Sequence, residues 1–159
     1  EDPNGGCVFW SAGAKPPELL MSGEVVMATG WNGRFFNAIM DGAPLTQVWD
    51  GQGLDYQYMV VVKGGPNEAD AMKAIKEMMS TEGLAGSAKH IAYAPFRKSS
   101  LAVIESGEPW YKDGKTNMLP EMPTSEGNTK KYFLVDSVYW ADNGTELGEM
   151  WTAMTAGLK

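Results

Sequence analysis

Apolar positions along this chain follow two rhythms. Short continuous apolar runs, at 7–10 (CVFW), 24–29 (EVVMAT), 45–49 (LTQVW) and 58–63 (YMVVVK), predict strands. Val60-Val61-Val62 is the strongest of these, an unbroken run suited to a strand covered on both faces. Elsewhere apolar residues fall three or four apart, the period of a helix with one buried side. Over 32–41 the apolar side is Phe35, Phe36, Ile39 and Met40; over 67–79 it is Ala71, Met72, Ile75, Met78 and Met79. Asn67 reads as the N-cap of that second helix, with Glu68 and Asp70 in its first turn. Pro16 and Pro17 open a short helix that ends at Gly23. Further helices are predicted from Thr81 to about His90, over 97–104, and over 144–156 with Asn143 as cap. In that last helix Leu147, Met150, Trp151, Met154 and Leu158 share a face. Residues 50–53 read as a turn, 105–128 as loop, and Thr129 to Val135 as helical. Strands alternating with helices predict an α/β fold.

Composition narrows the functions more than the fold. With 43% hydrophobic and 21% charged residues in 159, the chain has the make-up of one globular domain. A net charge of −7 argues against nucleic acid as a partner, because phosphate binding needs clustered Lys and Arg. The single cysteine, Cys7, excludes an internal disulfide. No apolar run reaches the ~20 residues of a membrane-spanning helix. Eleven Met suggest an adaptable core. Catalytic patterns are thin: His90 is the only histidine, and GxSxG, HExxH, CxxC and P-loop motifs are missing. The residues therefore suit a binding module without metal or cofactor better than an enzyme.

What the chain does carry is aromatic residues where elements meet. Trp31 and Trp49 end predicted strands, Tyr56 and Tyr58 flank the entry to the strongest one, and Tyr93 follows two helices. In an open α/β sheet such junctions converge on a crevice where aromatic walls can enclose a ligand. The stretch SGEVVMATGWNGR joins a strand to a helix, with Trp31 at the junction. Asn32 and Gly33 place backbone N–H groups at the helix start, and Arg34 adds a fork of donors suited to a carboxylate.

These blocks resemble the spermidine/putrescine-binding group of extracellular solute-binding proteins of ABC importers. The resemblance rests on FWSAGAKPPELLMSGEVVMATGWNGR, YMVVVKGGPNEADAMKAIKEMMSTEGLAG, IAYAPFRKSS, LPEMPTSEGN and DSVYWADNGTELGEMWTAM, in order over nearly all of 8–155. Two departures stand out: EMP interrupts an L-P-T motif, and 105–117 is longer than usual. The resemblance implies a type II periplasmic-binding-protein-like fold, with two α/β lobes closing on a ligand. It places residues 8–50 and 96–159 in the C-terminal lobe after a linker at 1–7. Residues 51–95 become the hinge crossing and a segment of the N-terminal lobe.

Such proteins are about twice this length, so the chain is expected to be the C-terminal half, without a signal peptide. The apolar faces of 58–63 and 71–79 should then need cover from further sequence, a second chain or repacking. Trp31, Asn32, Arg34, Gln57, Tyr58 and Tyr93 are the implied ligand-binding residues. Gln57 stands where polyamine binders of the group place an aspartate, which points towards an amino-acid-like ligand with amine and carboxylate. The implied setting is periplasmic, the implied partner a membrane permease. Two alternatives stay open: an enzyme on a similar two-lobe frame, and a half-protein that works only with a partner chain.

Overall fold

The computed structural model describes residues 6–106 and 111–157. The expected linker residues 1–5, loop residues 107–110 and Leu158 lie outside the described residues. In chain order the elements are α1 (Lys15–Met21), α2 (Asn32–Met40), β1 (Gln52–Leu54), α3 (Glu68–Met78), α4 (Thr81–Ser87), α5 (Lys98–Glu105), β2 (Tyr132–Leu134) and α6 (Ser137–Ala156).

The helices form where periodicity and end signals agree. Pro16 and Pro17 occupy the first turn of α1, where their missing N–H groups would have had no helical partner anyway. Ser80 caps α4 by accepting the Gly83 N–H at 2.9 Å. Asn67 precedes α3 as expected, but its side chain makes no capping bond. The core gathers Phe36 of α2, Ala85 of α4, Ala88 and Ala92 just beyond it, and Ile104 of α5. Tyr111, Met118 and Met122 close it from the long loop. Tyr111 meets Phe36 edge-on at 5.2 Å, and both methionines are fully buried, the adaptable filling that the Met content suggested. Buried Ser100 donates its Oγ–H to the Thr81 carbonyl at 2.9 Å and so ties α5 to α4. Within 51–95, α4 and the residues after it thus share this core, while no residue of α3 is buried.

The strands differ from expectation. Residues 24–29, 45–49 and 58–63 are not strands, and neither is 7–10. An extended segment becomes a strand only when a neighbouring backbone fills its row of N–H and C=O groups. Among the described residues no segment forms such a ladder with them. The ladder that does form pairs β1 with β2 in parallel, Gln52 opposite Tyr132 and Leu54 opposite Leu134. The turn at 50–53 is therefore shorter than read, and the helix expected over 129–135 is replaced by β2. Tyr132 and Phe133 are aromatic residues that fit a pleated surface better than a helix. Gln52 also donates to the carbonyls of Pro123 (2.9 Å) and Asn128 (2.6 Å), pinning the loop that contains a 3-10 turn at Leu119–Glu121.

The last helix starts seven residues earlier than the Asn143 cap suggested. Asp136 is the true cap, its carboxylate accepting the N–H groups of Val138 and Tyr139 at 3.0 Å each. Asn143 lies inside α6 and donates back to the Tyr139 carbonyl at 2.9 Å. No helix among the described residues is long and apolar enough to cross a membrane.

Large apolar side chains remain uncovered away from the core. Val60 is 80% exposed and Val62 78%, and Met72 and Met78 of α3 are exposed as well. Repacking within the chain does not cover the faces of 58–63 and 71–79.

Two tests follow from this packing. Ile104→Ala should destabilise the chain by about 2–5 kcal/mol, while Val60→Ala should stay within about 0.5 kcal/mol, as read by urea unfolding. Equal losses would show that 58–63 is packed in solution. The second test concerns Glu121, whose carboxyl burial raises above its usual range, with the Gln47 amide 3.4 Å away. For an acid raised on folding, stability falls as pH climbs from the unfolded pKa through the folded one, and the cost persists above it. Glu121→Gln should therefore melt higher than the parent at neutral pH. The difference should vanish well below the ordinary glutamate pKa of about 4.3. A difference independent of pH would show that Glu121 is not desolvated.

Candidate ligand-binding site

The site is built on the first turn of α2. Trp31 is its N-cap residue, with extended dihedrals (φ −75°, ψ 125°) that turn the indole out of the helix. The ring remains 57% exposed. It nevertheless packs against two residues of the preceding segment. Trp10 meets it edge-on, with ring centroids 6.0 Å apart. The six-membered ring also lies against Gly13, where a Cβ atom would sit only 2.3 Å from Trp31 Cζ3. Gly13 and Trp10 escaped the sequence reading; the small residues of SAGA, just ahead of a proline-opened helix, were the available signal.

Asn32 turns the other way. Its Nδ2 donates to the carbonyl of Ala92, a fully buried residue, and so fastens α2 to the segment that follows α4. Gly33, buried beside it, lets Ile91 and Tyr93 press against the helix backbone. Tyr93 is 41% exposed, its ring partly in solvent at the mouth of this contact. Trp31, Asn32 and Tyr93 are thus brought to one junction, Trp31 and Asn32 as neighbours and Tyr93 through Gly33.

Arg34 is placed elsewhere on α2. Its backbone N–H closes the first turn onto the Trp31 carbonyl at 2.9 Å. Its exposed side chain lines a groove of about 250 Å3 between α1 and α2, with Glu18, Asn37 and Asp41. Asn37 contributes a buried Oδ1 with no hydrogen-bond partner. Gln57 and Tyr58 belong to the extended segment after β1, where both are exposed. No contact joins them to Trp31 among the described residues. His90 is exposed just after α4.

The geometry makes Asn32 a fastener. Asn32→Ala would leave the buried Ala92 carbonyl without its donor, and should cost about 1–3 kcal/mol of stability. Urea unfolding measures this; an unchanged midpoint would mean that the bond is not made in solution.

Comparison with known proteins identifies the family. The bacterial extracellular solute-binding protein family matches residues 2–124. The gamma-aminobutyric acid-binding protein of Pseudomonas aeruginosa is 34% identical over 148 residues, which are 93% of this chain and 39% of that protein. A crystal structure of the PBP MotA from A. tumefaciens B6 in complex with glucopine superposes with a TM-score of 0.70 at 26% identity. It covers 88% of this chain and 41% of that one. An ABC transporter substrate-binding protein from Bradyrhizobium japonicum shares the fold with a TM-score of 0.74, over 92% of this chain and 43% of its own. Its identity to this chain is 24%. The chain thus spans about two fifths of the length of these relatives, each of which is described as a binding protein and none as an enzyme. Its α/β fold is that of part of a periplasmic binding protein, and the chain belongs to the bacterial extracellular solute-binding protein family.

Proposed function

We propose that the protein is the solute receptor of an ABC importer, working outside the cytoplasmic membrane and delivering a small polar ligand to a membrane permease. Trp31 carries this reading: a large indole left more than half exposed, yet held in place by Trp10 and Gly13. An aromatic ring that is packed along part of its surface and still open to solvent is suited to stack on a ligand. In this reading residues 8–50 and 96–159 form the ligand-facing C-terminal lobe together with α4 and 88–95, which share its core, and 51–80 form the hinge crossing with a segment of the N-terminal lobe. The exposed faces of 58–63 and α3 are covered by the remainder of a two-lobe clamp, from further sequence or from a second chain.

The ligand class we favour is an amino-acid-like molecule with both amine and carboxylate. Gln57 is neutral and exposed, so it offers an amide where an aspartate would select a fully cationic polyamine. The Pseudomonas relative is named for gamma-aminobutyric acid, a ligand of this class. The motifs shared with the spermidine/putrescine group keep a polyamine as the second reading.

Titration calorimetry on the protein expressed from its complete reading frame tests both readings, with γ-aminobutyrate and putrescine as probes. Binding of the first with weaker binding of the second supports the amino-acid-like class; the reverse order supports the polyamine. Trp31→Ala should weaken binding by about 1–3 kcal/mol, roughly ten- to a hundredfold, with the melting temperature nearly unchanged. Unchanged affinity beside a melting point lowered by many degrees would make Trp31 a packing residue and remove the basis of the site.

A further inference from the structure

We infer that Gly33 is a positioning residue, whose missing side chain sets where the Tyr93 ring stands beside the ligand. The inference rests on the reading of Tyr93 as a wall of the site. A Cβ atom at Gly33 would lie 2.7 Å from Tyr93 Cε1, 2.9 Å from Tyr93 Cζ and 2.7 Å from Ile91 Cγ1. Real Cβ atoms do not approach carbon that closely, so a side chain here must displace a neighbour. The three neighbours are not equally free to move. Ala92, between Ile91 and Tyr93, is fully buried and its carbonyl is held by Asn32, so the backbone of 91–93 is fixed. Ile91 is only half-buried, and its Cγ1, next to its own Cβ, cannot move far without the backbone. Tyr93 is 41% exposed, and the atoms facing Gly33 belong to the outer part of its ring. The ring can swing into solvent about its own side-chain torsions at little energetic cost.

A methyl group at position 33 is therefore accommodated chiefly by moving the Tyr93 ring. This separates the effect on binding from the effect on folding. A glycine required only for helix packing would show the opposite balance, since its substitution would strain the core and leave an exposed ring in place. Gly33 lies in the second position of α2, two residues after Trp31. One helix turn thus orients one aromatic ring directly and the other by leaving room for it.

The experiment compares four forms of the protein expressed from its complete reading frame: the parent, Gly33→Ala, Tyr93→Ala, and the double variant. Calorimetric titration with γ-aminobutyrate and putrescine gives affinities, and melting curves give stability. Spectra of ring-labelled tyrosine, with Tyr93→Ala assigning the resonance, report the ring's surroundings without ligand. Gly33→Ala should shift the Tyr93 ring resonances and weaken binding about five- to fiftyfold, with only a modest loss of melting temperature through Ile91. In the Tyr93→Ala background the same substitution should change affinity less than about twofold, because there is no ring left to displace. Unmoved ring resonances, or an affinity loss of equal size in both backgrounds, would overturn the inference while leaving the site reading intact. Failure of the parent to bind either probe, or a Tyr93→Ala variant that binds like the parent, would overturn the wall reading and the inference with it.

Discussion

The seating of the first turn of α2 on residues 91–93 is the contact from which the rest of the described arrangement follows. A helix backbone can come this close to a second chain segment only where a side chain is missing, and Gly33 is that place. Asn32 then supplies the hydrogen bond that the buried Ala92 carbonyl requires, so proximity and polar pairing reinforce one another. With that turn anchored, the helix geometry sends Phe36 into the core, one turn further on, and leaves Trp31 outside at the cap. The same short helix therefore serves the fold with one end and the solvent-facing site with the other.

The core this helix completes is small and built largely from short or pliable side chains. Three alanines line the core along α4 and its continuation, α4 packs against α5, and Met118 and Met122 fill the irregular space beneath the loop. The loop is long, yet it is far from unsupported. Gln52 grips two of its carbonyls, and Asn128 donates to those of Pro120 and Met122 at 2.8 and 2.9 Å. Amide side chains satisfying loop carbonyls explain how a Pro- and Gly-rich stretch can present buried methionines to a core.

The parallel pair β1–β2 links this assembly to α6. Joining parallel neighbours requires a long crossover, and α3, α4 and α5 lie within it. Phe9 packs edge-on against Trp151 of α6, with centroids 5.2 Å apart, bringing the start of the described chain to the last helix. Around these contacts, Val138, Trp140, Met150 and Met154 stay exposed on α6, as do Val60 and Val62 on the segment after β1. The apolar surface of this chain exceeds what its own core encloses, in keeping with a length about two fifths that of its relatives.

The sequence by itself determined α1 to α5, because their signals are local. Pro16-Pro17, the spacing of Phe36 and Met40, and the acidic first turn of α3 are contained within a few residues of the bonds they predict. It also determined the family and the prominence of Trp31, since the blocks around WNGR are contiguous. Strand pairing was legible only as a tendency: the valines of 58–63 favour extended backbone, but a ladder needs a neighbour that no local pattern names. Tertiary structure alone decided that Gln52 to Leu54 would pair with Tyr132 to Leu134, across nearly eighty residues of chain. It likewise decided the start of α6, which Asp136 caps in place of the predicted Asn143. For the site, the sequence marked Trp31, Asn32 and Tyr93 individually, and the fold gave each its role. Arg34, three residues from Trp31, was directed instead to the groove against α1, and Asn32 to the Ala92 carbonyl. A side chain's direction depends on what packs against its helix, and that information is spread over residues as distant as Gly13 and Ala92.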